Sequence, residues 1–166
     1  MTDEREFSRF VRSHTGDLLR TAYLLTGDGV AAEELVQDTL VRLYPKWQLV
    51  QAAEVPLAYV RRSLANGFVN HTRRAASRRE TAVEYLPELP DERDRARGVE
   101  DRDELWALLR VLPERQRAAL VLRYFHDLAD EDIGTALGCR IGTVRSLVSR
   151  GLAAMREHAD AGRSTA

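Results

Sequence analysis

The chain lacks most of what builds secreted scaffolds, membrane proteins and enzymes. Cys139 is its only cysteine in 166 residues, which excludes an internal disulfide framework and fits a reducing cytoplasm. No apolar run approaches the length of a membrane span, and the opening MTDEREF is charged from the start, unlike a signal peptide. No membrane insertion is therefore expected. Lys46 is the only lysine among 25 basic residues, a bias that a GC-rich genome explains without a structural reason. Net charge is only -1, which argues against nonspecific coating of nucleic acid. His14, His71, His126 and His158 are scattered, with no ligand spacing among themselves or with Cys139. There is no glycine-rich phosphate loop and no GxSxG. No catalytic residue, metal site or cofactor is expected. There is no alternating strand pattern either, so the expected fold class is all-α.

What the chain does have is helical periodicity in two blocks. Residues 1–80 read as one helical domain, and 81–101 as a flexible linker with two prolines and mixed charge (EYLPELPDERDRARGVED). Residues 102–158 read as a second helical domain, followed by a short tail at 159–166. Hydrophobic content of 44% against 31% charged suits two small soluble domains.

In the first block, Phe7, Phe10, Val11, Leu18, Ala22 and Leu25 form a helical stripe, with Gly27 to close it and Asp28 to cap the next helix. That next helix, about Val30 to Tyr44, turns Val36, Leu40, Leu43 and Trp47 to one side, with Pro45 ending it before Trp47. Glu34, Gln37, Asp38 and Val41 fall on the other side. On pattern alone that polar side is an ordinary solvated face. A third helix starts near Pro56 and lines Leu57, Val60, Leu64, Phe68 and His71 along one side. Arg61, Arg62, Arg73, Arg74, Arg78 and Arg79 precede its first acid, Glu80. Asn66 and Asn70 sit among these charges, and asparagine gains nothing in a helix interior. Basic groups interleaved with amides suit a nucleic-acid strand. A basic solvated face, with Asn66-Gly67 as a local irregularity, is the equal alternative.

The second block carries LPERQRAALVLRYF, with Pro113 expected at the first helical position and an apolar side of Ala118, Leu120, Val121, Leu122, Tyr124 and Phe125. A short helix over Asp130–Leu137 follows, then a Gly138-Cys139 turn, then a helix with Ile141, Val144, Val148, Leu152 and Met155 at spacings of three and four. This is helix-turn-helix spacing. Arg145, Ser146, Ser149 and Arg150 occupy the outer face of the last helix, where arginine can meet guanine or phosphate. Helical hairpins of this kind also occur in proteins that never touch DNA, and periodicity does not decide between the two.

Together the segments TAYLLTGDGVAAEELVQDTLVRLYPKW (21–47), PLAYVRRSLANGFVNHTRRAASRR (56–79), LPERQRAALVLRYF and LGCRIGTVRSLVSRGLAAMRE resemble the extracytoplasmic-function (ECF) sigma factors of the sigma-70 family, in their actinobacterial form. The resemblance spans Phe7 to Glu157. It implies a non-catalytic sigma factor that binds core RNA polymerase and initiates transcription at specific promoters, in a stress or envelope response. Glu34, Gln37, Asp38 and Val41 would meet the clamp helices of the largest polymerase subunit, with the flap as a second polymerase contact. Arg62, Asn66, Asn70, Arg73 and Arg74 would handle the minus-ten element, Asn66 at the base-capturing position. Arg123, Arg140, Arg145, Ser146, Ser149 and Arg150 would hold the minus-thirty-five element. The linker would run through the polymerase toward the RNA path. The resemblance also implies a cytoplasmic, nucleoid-associated protein. With no further domain in the sequence, regulation is expected from another protein, such as an anti-sigma factor.

Some positions depart from the family pattern. Ala129 stands where Ser or Thr is usual, with Asp130 as a substitute cap one residue on. Gly134 replaces the usual alanine at the helix crossing, Arg140 replaces the usual Ser or Pro cap, and Leu147 stands where relatives often have arginine. The alternative reading is a helix-turn-helix regulator that binds an operator as a dimer.

Overall fold

Helices α1 (Thr2–Thr26), α2 (Gly29–Leu43), α3 (Trp47–Ala52) and α4 (Pro56–Thr81) make the first half of the molecule; α5 (Glu100–Arg110), α6 (Glu114–Leu120), α7 (Asp130–Leu137) and α8 (Ile141–Ser164) make the second. This computed structural model describes residues 2–81 and 100–165. Most of the expected linker at 81–101 lies outside the described residues. Every regular element among the described residues is helical, in line with the all-α expectation.

The first core forms where the apolar stripes of three helices meet. Leu18, Ala22 and Leu25 of α1 are fully buried, with Val36 and Leu43 of α2 and Val60, Leu64 and Phe68 of α4 beside them. Phe7 and Phe10 pack edge-on against Trp47, with ring centroids 5.0 and 4.9 Å apart. Pro45 ends α2, and a 3-10 turn over Tyr44–Lys46 then starts α3 at Trp47. The chain thus changes direction without losing the tryptophan from the core. Asp28 caps α2 as expected, its Oδ2 accepting the Ala31 N–H at 3.0 Å, after Gly27 at φ 71°. Two expectations fail here. His71 is exposed rather than on the apolar stripe. And α4 runs unbroken through Asn66 and Gly67: the pair marks no irregularity, and the missing Cβ of Gly67 makes room for the Arg42 guanidinium.

The second half departs from expectation in detail. Pro113 is the N-cap of α6, not its first helical residue, and its carbonyl accepts the Arg117 N–H at 3.0 Å. After Leu120 the helix widens into a π turn over Val121–Phe125. Ala118, Leu120, Val121 and Leu122 stay buried, but the wider turn leaves Tyr124 and Phe125 exposed, against the expected apolar side. Gly138 closes α7 in the left-handed region at φ 65°. Gly134 is needed at the crossing, because a Cβ there would lie 2.7 Å from the Cys139 carbonyl. Val144 and Val148 bury the inner face of α8. That helix continues to Ser164, past the expected tail start at 159; the Ser164 and Thr165 hydroxyls bond back to the Asp160 and Ala161 carbonyls.

The halves pack against each other, and Arg117 is central to the junction. Its guanidinium donates to the carbonyls of Leu109, Arg110 and Leu112 at the end of α5, and of Leu25 at the end of α1, at 2.9, 3.3, 3.0 and 2.7 Å. The Leu25 and Arg110 carbonyls belong to helix ends, Leu112 lies two residues past α5, and the Leu109 carbonyl also accepts the Leu112 N–H at 3.1 Å. Beside it the Trp106 indole covers Gly27 so closely that no Cβ fits there. We expect Arg117→Leu to lower unfolding free energy by about 2–4 kcal/mol, because it strands several carbonyls at once. Arg117→Lys should restore only part, since one ammonium cannot span the same fork. Urea denaturation of the three proteins checks this.

A second tie joins His126, after the π turn, to Thr21 of α1, Nε2 to Oγ1 at 2.9 Å. The Thr21 hydroxyl donates to the Asp17 carbonyl, so the imidazole donates through Nε2 and is left with a bare Nδ1. That Nδ1 is buried without a donor to bond it. Burial, reinforced by the charge of Arg61, pushes the His126 pKa down to about 4, against the opposing pull of Asp17 and Asp127. Asp17 itself is raised by burial but lowered more by the hydrogen bond and charge of Arg61, with Arg20 adding to the field. Because the folded His126 value lies below the unfolded one, its contribution is complete above about pH 6.5 and is lost as pH falls toward 4. Thermal unfolding from pH 7.5 to 5 should show a fall in Tm for the wild type that is shallower in His126→Gln. Parallel curves would assign the fall to other groups.

Candidate functional site

Three sets of exposed polar groups lie on this frame. The first is on α2. Burial of Val36 and Leu43 fixes the helix so that Glu34, Gln37, Asp38 and Val41 all face solvent. Val41 is 71% exposed, an apolar centre in a carboxylate-amide surface.

The second set is on α4. The Arg62 guanidinium reaches Asp132 of α7 at 3.2 Å. The Asn66 amide donates to the Ala136 carbonyl of α7 at 2.7 Å, and its oxygen accepts from Asn70 at 3.1 Å. Asn70 and Arg74 are exposed, whereas the Arg73 side chain lies outside the described residues. Arg61, counted in sequence among the basic groups of this helix, turns to α1. It makes a two-pronged pair with Asp17 at 3.0 and 2.6 Å, so it braces the core and is not free for a ligand. Around Asn66 runs a cleft whose walls include Thr39, Arg42, Tyr59 and Ser63, closed on the far side by Thr135 and Ala136. Sequence reading missed Arg42 and Tyr59. Arg42 is held by Thr39 Oγ1 and the Asp38 carbonyl and lies over Gly67; only the neighbouring Gly67 hints at it.

The third set is on α8 and the turn before α7. Ser146, Ser149 and Arg150 are exposed on the outer face of α8, and Arg140 is exposed at its start. Arg140 occupies the N-cap without a side-chain cap bond, so its charge is free of the helix. Asp130 was expected to cap α7, but Ala129 is the N-cap and makes no side-chain bond. The Asp130 carboxylate instead takes Arg123 at 2.7 Å and Arg145 at 3.2 Å. The helix pair therefore brings Arg123 and Arg145 to one point, 22 residues apart in sequence. The α4 set meets α7 directly. Among the described residues no group of three or more His, Cys, Asp or Glu could hold a metal ion, and no helix is long and apolar enough to cross a membrane.

Comparison with known proteins gives these surfaces a setting. The family model for sigma-70 region 2 matches residues 10–78, and that for sigma-70 region 4 matches 102–155. The chain is 36% identical over 157 residues to the RNA polymerase sigma-E factor of Streptomyces coelicolor, covering 95% of this chain and 88% of that protein. It is 32% identical to the ECF RNA polymerase sigma factor SigE of Mycolicibacterium smegmatis, covering 92% of this chain and 61% of that one. Among solved structures it is similar to the sigma factor RpoE in complex with the anti-sigma factor NepR from Bartonella quintana. That match has a TM-score of 0.69 at 25% identity and covers 92% of this chain and 96% of the other.

Proposed function

The chain belongs to the extracytoplasmic-function sigma factors of the sigma-70 family, and on that premise we propose that its three polar sets divide the work of promoter-specific initiation. The Glu34, Gln37, Asp38 and Val41 face of α2 binds the clamp helices of the largest polymerase subunit, and the second half contacts the flap. Arg62, Asn66, Asn70, Arg73 and Arg74 guide and read the melted minus-ten strand. Arg123, Arg140, Arg145, Ser146, Ser149 and Arg150 hold the duplex minus-thirty-five element. The protein works in the cytoplasm, on the nucleoid with polymerase. The complex of the similar Bartonella quintana chain with an anti-sigma factor supports a partner of that kind here.

The observation that carries this division is the α2 face. Glu34, Gln37, Asp38 and a 71%-exposed valine share the outer side of a well-anchored helix, within the stretch that the sigma-70 region 2 model matches, and are open to a partner. Reversing charge there, in Asp38→Arg, should weaken holoenzyme assembly about tenfold with an unchanged circular dichroism spectrum. Native gels with purified core polymerase read the effect, and full assembly would remove this face from the interface.

Asn66 is tested separately. Its amide carries both donors and an acceptor, which suits the edge of a flipped base. Asn66→Ala should leave assembly intact and reduce open-complex formation about five- to tenfold, the worth of one good hydrogen bond. A promoter with a pre-melted bubble should recover only part, since capture as well as melting is lost. Permanganate footprinting on duplex and bubble templates checks this; wild-type opening would place the pocket elsewhere.

A further inference from the structure

The outer face of α1 carries a charge pattern that its packing does not need. Arg5, Arg9, Arg12, Gly16 and Arg20 follow at spacings of four, three, four and four. They fall on one line along the helix, opposite the buried stripe of Leu18, Ala22 and Leu25. All five are exposed. At 1.5 Å per residue the line is about 22 Å long. The acids of α1 turn away from it. Asp3 accepts from Gln48 of α3 at 2.9 Å, Glu6 accepts from Gln51, and Asp17 takes both prongs of Arg61. Glu4 lies about 120° round the helix from the middle of the line. Among the described residues, Arg5, Arg9 and Arg12 meet no carboxylate at ion-pair distance, and Arg20 adds its charge to the field at Asp17.

Gly16 is a second and independent observation. Glycine inside a helix is destabilising relative to alanine. A Cβ at Gly16 would meet nothing within 4 Å, whereas one at Gly67 or Gly134 would strike a neighbour. Packing within the chain therefore does not call for glycine here. The bare backbone between Arg12 and Arg20 lets a partner approach the helix closely. The rest of the line says what kind of partner fits. A protein partner needs an apolar or aromatic anchor to bury, and a lipid surface needs an apolar edge. A single strand needs rings on which bases can stack. The one ring in line with the arginines, Tyr23, is half-buried beside Trp106. A duplex backbone needs only cations and small donors, and exposed Ser8 and Ser13 flank the line. We propose that the outer face of α1 is a contact for the phosphate backbone of duplex promoter DNA, blind to sequence and separate from the three polar sets. This rests on the chain's work at promoters and on none of the residue roles assigned above.

The test uses holoenzyme reconstituted from the full chain and core polymerase, with a duplex promoter fragment that the wild type opens. Binding is measured from about 50 to 200 mM salt. Arg9→Gln/Arg12→Gln should assemble as the wild type does and bind the fragment about tenfold more weakly at about 100 mM salt. It should also reduce the slope of log K against log salt by about two. The loss should be the same when the duplex flanking the opened segment is scrambled; a loss confined to one flanking sequence overturns the backbone contact. Ala161→Glu/Arg163→Gln, an equal change of net charge at the exposed end of α8, should keep the wild-type slope. Gly16→Gln should raise Tm, glutamine being the better helix former, and yet weaken binding about threefold. An unchanged slope in Arg9→Gln/Arg12→Gln overturns the proposal, and so does an equal change in the α8 control. Weaker assembly, with unchanged promoter affinity in the holoenzyme that forms, gives the face to polymerase and overturns it too. The roles of Asp38 and Asn66 are read from assembly and opening by their own variants, so failure here leaves them standing.

Discussion

One guanidinium holds the two halves of this protein in register. Arg117 spends its fork on four backbone carbonyls, three at the end of α5 and one at the end of α1. Burial lowers its pKa, with the Arg110 charge adding to this and Glu114 opposing it, yet an arginine starts so far above neutral that it stays charged. A half-buried charge satisfied by dipoles rather than by a counter-ion is costly to strand and hard to replace. With α5 and α6 tied to α1 in this way, α7 packs along the flank of α4. The contacts of Arg62 and Asn66 and the cleft at Asn66 follow from that placement.

The helix-turn-helix gains its precision from two residues without side chains. Gly138 supplies the left-handed turn, and Gly134 lets the Cys139 carbonyl approach α7. Glycine in a helix costs about 1 kcal/mol relative to alanine, and the close crossing offsets that cost. The same crossing carries Arg145 to Asp130, where Arg123 already sits. A carboxylate between two arginines keeps both extended toward one point.

Much of this was legible in the sequence, for definite reasons. The stripes of α1, α2 and α8 announced their buried faces because helical periodicity is a property of the chain itself. Asp28 and Gly138 announced helix ends because capping and the left-handed turn select few residue types. The misses share a cause. Arg117 bonds carbonyls, which every residue has, so nothing in sequence marks Leu25 or Leu109 as its partners. The π turn that exposes Tyr124 and Phe125, the shift of Pro113 to the N-cap and the length of α8 are set by packing and by local hydrogen bonds. Arg61 and Arg62 are adjacent and identical in type, yet one braces Asp17 inside its own half and the other reaches across to α7. Only the helical angle between them, with the position of α1 and α7, separates a structural arginine from one available to a ligand.

The alternative of an operator-binding dimer fails on the match of two sigma-70 regions along one chain, and the arrangement of surfaces gives that failure a physical sense. A dimeric regulator keeps its reading helix ready for DNA. Here the groups proposed to read DNA are partly committed within the molecule, while the α2 face proposed for polymerase is open. Such an arrangement suits a protein that is to meet polymerase before promoter. The contacts between the halves are of unequal weight: the Arg62–Asp132 pair is partly exposed and worth about 1 kcal/mol or less, whereas the Arg117 guanidinium on the Leu25 carbonyl is worth about 1.5–3 kcal/mol, as hydrogen bonds to charged groups are.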